Sequence, residues 1–283
     1  GQVTFRQSKM LLPTYDVFDE ARYFRPADRQ HLCTLRGIPV ALTICEDAWN
    51  DRAYWKHRLY QRDPVEELFT AGAQALICIN ASPYNMGKRA IRRSVYRAVA
   101  RRYGKPVVYV NQIGGNDQLV FDGTSFAMNA AGEVIAQAHS FTEDLIVCEL
   151  AAGTGDRHDD FADECAAAYQ ALVLGTRDYI RKCGFSKVLI GLSGGIDSAL
   201  TAVIAVDAVG KENVTGVGMP GPYSSEHSVT DARVMAEKLG IRFELISITG
   251  TYEKILGELE PVMGEGAVDV TRENLQSRDR KST

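Results

Sequence analysis

Residues 187–198, K-V-L-I-G-L-S-G-G-I-D-S, constrain this chain more tightly than any other stretch of it. The apolar run 188–192, which includes Gly191 and Leu192, has the length of a buried strand. Ser193, Gly194, Gly195, Ile196 and Asp197 then make a tight turn, and Ser198 opens an Ala/Leu/Val-rich run to residue 209 that reads as a helix. A strand, a glycine turn and a helix start bring free backbone N–H groups and the positive end of a helix dipole to one point, which is an anion site. A loop that carries lysine to the β/γ-phosphates needs GK[ST], and residues 193–198 contain no lysine. A dinucleotide fingerprint needs G-x-G-x-x-G, whereas these glycines are adjacent. Asp197 instead sets a carboxylate beside the phosphates, which suits Mg2+ bridging them.

The segments that follow keep the same rhythm. Residues 214–219 read as a strand and 220–225 (P-G-P-Y-S-S) as a turn. Residues 226–239 read as a helix closed by Gly240, 241–248 as a strand, and a further helix begins near 251. This βαβαβ order predicts a parallel, doubly wound sheet with ligands at the strand carboxyl ends, so 193–198 and 220–225 share an edge. Upstream, 161–183 carries a helical period that brings Tyr169, Leu172, Tyr179 and Ile180 to or near one face, and Gly184 is placed to stop it.

The first half is a different domain. A weak strand is expected within 1–10, buried strands at 38–44, 75–80 and 106–111, helices at 64–73 (capped by Asp63) and 87–103, and short hairpin strands over 119–150. Residues 151–160, small, polar and glycine-containing, mark the boundary between domains at 1–153 and 161–283. Six arginines on the 87–103 helix (Arg89, Arg92, Arg93, Arg97, Arg101, Arg102) fall on several faces with no aromatic platform, so a solvated or interface helix is expected rather than a nucleic-acid surface. The net charge of −4 agrees. No apolar run approaches the roughly 20 residues of a membrane span. The six cysteines (33, 45, 78, 148, 165, 183) show neither C-x-x-C nor Cys/His ligand spacing, which fits a reducing, cytoplasmic location. His158 stands among aspartates in a segment expected to be solvated. Residue 1 enters a hydrophobic pattern without a start methionine and residue 283 stops just after an expected helix, so a piece of a longer protein is expected.

Cys45 follows the buried run 38–44 and precedes two carboxylates, Glu46 and Asp47. A thiolate held at a strand end is a strong nucleophile when a cation eases its ionisation, and Lys9 is placed to supply one or to stabilise an oxyanion. From spacing alone the plainer reading, a buried core cysteine, is the better supported.

Several separated motifs change that balance. Lys9 with L-L-P-T-Y-D-V-F-D-E-A-R-Y-F, then T-I-C-E-D at 43–47, N-A-S-P-Y at 80–84, Q-I-G-G-N-D-Q at 112–118 and F-D-G-T-S at 121–125 resemble, in order, the nitrilase superfamily, and within it the glutaminase domain of glutamine-dependent NAD synthetases. The resemblance implies an αββα layered fold and an amide-hydrolysing Glu-Lys-Cys triad. Cys45 would be the nucleophile, Lys9 the cation, Glu46 a supporting carboxylate, and Tyr15, Ser82 and Lys88 glutamine-binding residues. The triad glutamate lies upstream of the lysine segment in that family, and neither Glu20 nor Glu46 is at its position, so glutaminase turnover by this exact chain is expected to be absent or very low.

In the second half, S-G-G-I-D-S resembles the pyrophosphate loop of ATP-dependent adenylating ligases. With Y-Q-A-L at 169–172, G-T-R-D-Y at 175–179, Met219-Pro220, Tyr223-Ser224-Ser225 and E-N-L-Q at 273–276, it resembles NAD synthetase domains. The resemblance implies ATP as co-substrate and Mg2+ at Asp197. Residues 191–198 would hold the phosphates, Ser224 or Ser225 would lie near the adenine end, and Asn274 would contact deamido-NAD. The expected reaction is ATP-dependent amidation of deamido-NAD through an acyl-adenylate, with ammonia taken from L-glutamine. Another pyrophosphate-loop amidotransferase, or an inactive chain that retains nucleotide binding, is the alternative. A homo-oligomer is expected, with no nucleic-acid or membrane partner. The polar run 278–283 departs from the family and its later motifs are missing, which sets complete synthetase activity of this chain in doubt.

Overall fold

The computed structural model describes residues 1–158, 160–161 and 163–263. The described residues form two compact units that divide between residues 175 and 176.

The first unit runs α1 (Glu20–Tyr23), β1 (Cys33–Leu35), β2 (Ile38–Ile44), a 3-10 turn (Cys45–Ala48), α2 (Pro64–Thr70), β3 (Ala75–Asn80), α3 (Lys88–Tyr103), β4 (Val107–Asn111), β5 (Ile113–Asn116), β6 (Leu119–Asp122), β7 (Phe126–Met128), β8 (Val134–Gln137), β9 (Cys148–Glu149) and β10 (Thr154–Gly155), and takes in the start of α4 (Glu164–Lys182). Its main sheet has the order β1-β2-β3-β4-β7-β8, with β2, β3 and β4 parallel. Ile44 pairs with Ile79 and Asn80 with Asn111, so the carboxyl ends of these strands open on one edge. Parallel neighbours need crossover connections, and α2 and α3 supply them. Asp63 caps α2 by accepting the Glu66 N–H at 3.0 Å, ahead of Pro64. Both helices close over a core of Leu68, Leu76, Cys78, Tyr96, Val99, Val107, Tyr109 and Met128. Each fully buried side chain of this size contributes about 1.5–3 kcal/mol.

Two expectations fail here. Residues 1–9 form no strand. Nor is the arginine face of α3 mainly solvated. Arg92 is 1% exposed and pairs with Asp122 at 2.7 Å; Arg89 is buried against Asp160 and Glu164; Arg93 reaches Asp160; Arg102 reaches Asp51 and Glu66. Arg97 and Arg101 donate to the carbonyls of Gly132 and Ala131. The cause is tertiary: carboxylates distant in sequence neutralise these cations, and only such pairing makes guanidinium burial tolerable. Segment 151–160 is also tied in, with β10 paired to β9 and Asp160 gripping α3. The start of α4 packs Ala167, Ala171 and Leu174 on Phe141, Tyr84 and Val120.

The second unit contains β11 (Val188–Gly191), α5 (Ile196–Val209), β12 (Val214–Gly218), α6 (Glu226–Leu239), β13 (Arg242–Leu245) and α7 (Thr249–Met263). Its three strands are parallel in the order β11-β12-β13. Ala202, Ala205, Ala232 and Ala236 let α5 and α6 come close, and they bury Leu192, Val214 and Ile241. The small side chains belong to this close approach. Helix α6 is capped by Ser225, whose Oγ accepts the Ser228 N–H at 3.2 Å.

Candidate active sites

In the first unit the parallel strand ends frame a cavity of about 730 Å³. Its wall includes Lys9, Tyr15, Glu20, Cys45, Glu46, Trp49, Ser82 and Lys88. The residues that the resemblance assigned to the site, Lys9, Tyr15, Cys45, Glu46, Ser82 and Lys88, therefore meet at one place. Cys45 sits where β2 ends and the 3-10 turn begins, at φ +45°, a conformation that costs a non-glycine residue of order 1–3 kcal/mol. Burial pushes its thiol up from the ordinary value, and the charge of Lys9, the Ala81 N–H and the charge of Lys88 pull it back. Cys78 lies nearby on β3 but is fully buried and has no cation beside it; burial lifts its thiol to about 12. Of the two cysteines, only Cys45 has both cavity access and positive charge.

Lys9 donates to both oxygens of Glu20, at 2.7 and 2.6 Å. Glu20 follows an irregular segment onto α1, so no periodicity connects it with Lys9 and sequence reasoning gave it no role. Glu46 accepts from Tyr15 Oη (3.0 and 2.9 Å) and from Tyr60 Oη (3.1 Å), which holds its carboxylate away from free rotation. Tyr60 is a second residue that the motif gave no reason to choose.

Ser82 is fixed from three sides. Its N–H donates to Asn111 Oδ1 at 2.9 Å, its Oγ accepts from Arg92 Nε at 3.2 Å, and its carbonyl accepts from Arg92 Nη2 at 2.7 Å. The buried Arg92–Asp122 pair thus supports the loop that carries Ser82 and Ala81. Lys88 opens α3 and lies 6.0 Å from the Trp49 ring centre; burial lowers its pKa, and the neighbouring Arg92 lowers it further. Asp47 does not line the cavity and is buried in the protein, 2% exposed.

In the second unit the loop after β11 has the form expected. Gly194 turns at φ +79°. Ser193 Oγ lies 3.1 Å from Ser198 Oγ and accepts the Gly195 N–H at 3.3 Å; Ser198 Oγ accepts the Ser193 N–H at 3.2 Å and donates to the Gly195 carbonyl at 2.9 Å. Helix α5 begins with no side-chain cap, leaving its first-turn dipole for an anion. A cavity of about 410 Å³ beside the loop is lined by Gly191, Leu192, Ser193, Met219, Pro220, Tyr223, Ser224 and Ser225. A second, of about 300 Å³, is lined by Gly194, Gly195, Ile196, Ser198 and Asp231. Asp197 is exposed on the first turn of α5 and lines neither. A carboxylate and hydroxyls, the side-chain groups of Asp197, Ser193 and Ser198, are hard-oxygen donors of the type that Mg2+ takes. Asn274 lies outside the described residues.

Residues 1–157 match the carbon-nitrogen hydrolase family and residues 168–283 match NAD synthase. The chain is similar to a glutamine-dependent NAD(+) synthetase of Synechocystis sp., 45% identical over 99% of this chain and 51% of the relative. It is similar to another of Rhodobacter capsulatus, 41% identical over 99% and 50%. A solved structure of glutamine-dependent NAD+ synthetase from Acinetobacter baumannii, in complex with adenosine diphosphate, is 38% identical with a TM-score of 0.89 over 99% of this chain and 52% of that one. The chain spans about half the length of the relatives it matches.

Proposed function

The chain belongs to the carbon-nitrogen hydrolase family through residues 1–157 and carries an NAD synthase domain over residues 168–283, and from that premise we propose that it serves glutamine-dependent formation of NAD from deamido-NAD. Convergence of Cys45, Lys9 and Lys88 on one cavity supports the glutaminase half. Cys45 Sγ attacks the side-chain carboxamide carbon of glutamine, and Lys9 faces the oxyanion that develops. The proton from the thiol passes to the departing nitrogen, collapse expels ammonia and leaves a thioester, and water hydrolyses this to glutamate and the free Cys45 thiol. Tyr15, Ser82 and Lys88 are the proposed glutamine contacts, with Glu46 held as the supporting carboxylate.

In the second unit, residues 191–198 are proposed to cradle ATP phosphates and Ser224 or Ser225 to face its adenine end. Asp197 would hold Mg2+, which offsets phosphate charge when bound. The nicotinate carboxylate attacks the α-phosphorus and pyrophosphate leaves. Ammonia then attacks the acyl carbon, and AMP departs. Adenylation is required because a free carboxylate is a poor electrophile. A cytoplasmic, homo-oligomeric enzyme is part of this proposal.

The test pairs two nitrogen sources. NAD formation from deamido-NAD and MgATP is measured with glutamine and with ammonium in this chain, whose glutamine-supported rate is expected to be absent or very low, and in the Synechocystis relative, which also carries the changes that match C45A and D197N. Loss of only the glutamine-supported rate in C45A, and of both rates in D197N, is expected. In this chain itself, the glutamine analogue 6-diazo-5-oxo-L-norleucine should label the Cys45 peptide in competition with glutamine. Labelling that glutamine does not protect, or that falls on another cysteine, sinks the assignment.

A further inference from the structure

Asp47 has no place in the chemistry above, yet it is the most heavily engaged acid beside Cys45. Its Oδ1 accepts the main-chain N–H of Met10 at 2.9 Å and of Leu11 at 2.8 Å, and its Oδ2 accepts the N–H of Ile44 at 3.1 Å. Met10 and Leu11 directly follow Lys9, and Ile44 directly precedes Cys45. One buried carboxylate therefore joins the segment that presents the cation to the strand end that presents the thiol. Residues 1–9 contain no helix or strand of their own. The position of Lys9 thus depends on what holds residues 10 and 11, together with the Ala27 N–H on the Lys9 carbonyl and the Glu20 carboxylate on Nζ.

We infer that Asp47 is a positioning residue that sets the Lys9 ammonium against Cys45 Sγ by clamping the Met10 and Leu11 amides to the nucleophile turn. The inference rests on the reading of Cys45 as nucleophile and Lys9 as its cation. Asparagine weakens the clamp: if its oxygen serves Met10 and Leu11 its NH2 group faces the Ile44 N–H, the reverse orientation loses the other two, and in either case the charge that strengthens these bonds is gone. Burial pushes the Asp47 carboxyl up to about 6 while the Leu11, Ile44 and Met10 N–H donors and the Lys9 charge pull against it, so the carboxylate is the form present at neutral pH.

The sign of the effect separates this role from a direct electrostatic one. Taking a negative charge away from the neighbourhood of a thiol, by charge alone, makes the thiol easier to ionise. Releasing Lys9 makes it harder. Cys45 is faced by the charges of Lys9, Lys88 and Glu46 and by the Ala81 N–H, with Tyr15, Cys78, Tyr96 and Tyr109 also near it, and of the two cations Lys9 is the one on the segment that Asp47 holds.

The experiment is the pH profile of Cys45 alkylation by iodoacetamide, followed by mass spectrometry of its peptide, in wild type, K9M, D47N and K9M/D47N. K9M is expected to raise the apparent pKa by about one unit, as loss of a close opposite charge does. D47N should raise it by at least half as much, and the double variant should match K9M. A wild-type or lowered value in D47N, or full additivity in the double variant, overturns the inference. An unshifted K9M sinks the underlying reading of the pair instead. Because D47N can fail to fold, hydrogen exchange of the wild-type protein gives an independent arm: the Met10 and Leu11 amides are expected to exchange as slowly as those of β2. Exchange as fast as that of residues 2–6 overturns the clamp.

Discussion

At the scale of single residues, the candidate glutaminase site is supported by a buried ion pair. Arg92 and Asp122 form it; neither is tolerable alone in an interior and together they fix Ser82 and its loop. Substituting Arg92→Met leaves the Asp122 carboxylate buried without its cation. A loss of about 3–5 kcal/mol is expected in chemical denaturation. A loss below about 1 kcal/mol would mean that the pair is solvated in solution. The sequence made Cys45, Lys9 and Ser82 legible because motif order singled them out. It left Glu20, Tyr60 and Arg92 unread because a hydrogen bond between residues 11, 14 or 30 positions apart leaves no local pattern.

At the scale of elements, glycines show how the same residue type acts in opposite senses. A Cβ on Gly194 would lie 2.5 Å from the Ser228 carbonyl oxygen, and its φ of +79° strains any side chain. Gly257, inside α7, has φ outside that region and nothing within 4 Å of its Cβ position. Gly194→Ala should therefore lower the thermal midpoint of the second unit and weaken ATP binding in calorimetry. Gly257→Ala should stabilise by roughly 0.5–1 kcal/mol through helix propensity. Equal effects of the two changes would refute the loop geometry. The strand–loop–helix element was legible because its signals are local: an apolar run, adjacent glycines and a helix start. Helix α3 was legible in extent and misread in environment, since its arginines meet carboxylates on other elements.

At the scale of the whole molecule, one face of the first sheet stands out. Leu42, Ile44, Ile77, Ile79, Val108 and Val110 are in register across β2, β3 and β4, yet Ile79 is 56% and Val110 43% exposed. Parallel strands are ordinarily covered on both faces, and an apolar patch of this kind promotes association. The double substitution I79K/V110K should raise the solubility limit of the chain and lower its binding of an anilinonaphthalene dye. Unchanged dye binding would show that this face is already covered in solution. The sequence by itself determined the order and type of the main elements, the two-domain plan and the candidates for nucleophile, cation and phosphate loop, because periodicity, turn chemistry and ordered motifs are carried by neighbouring residues. Only the tertiary structure decided that Glu20 holds Lys9, that Tyr15 and Tyr60 hold Glu46, that Asp47 joins the two catalytic segments, and that α3 buries its arginines. Each of these is a match between a charge or donor and a partner far away in the chain, and folding alone brings such partners within hydrogen-bond distance.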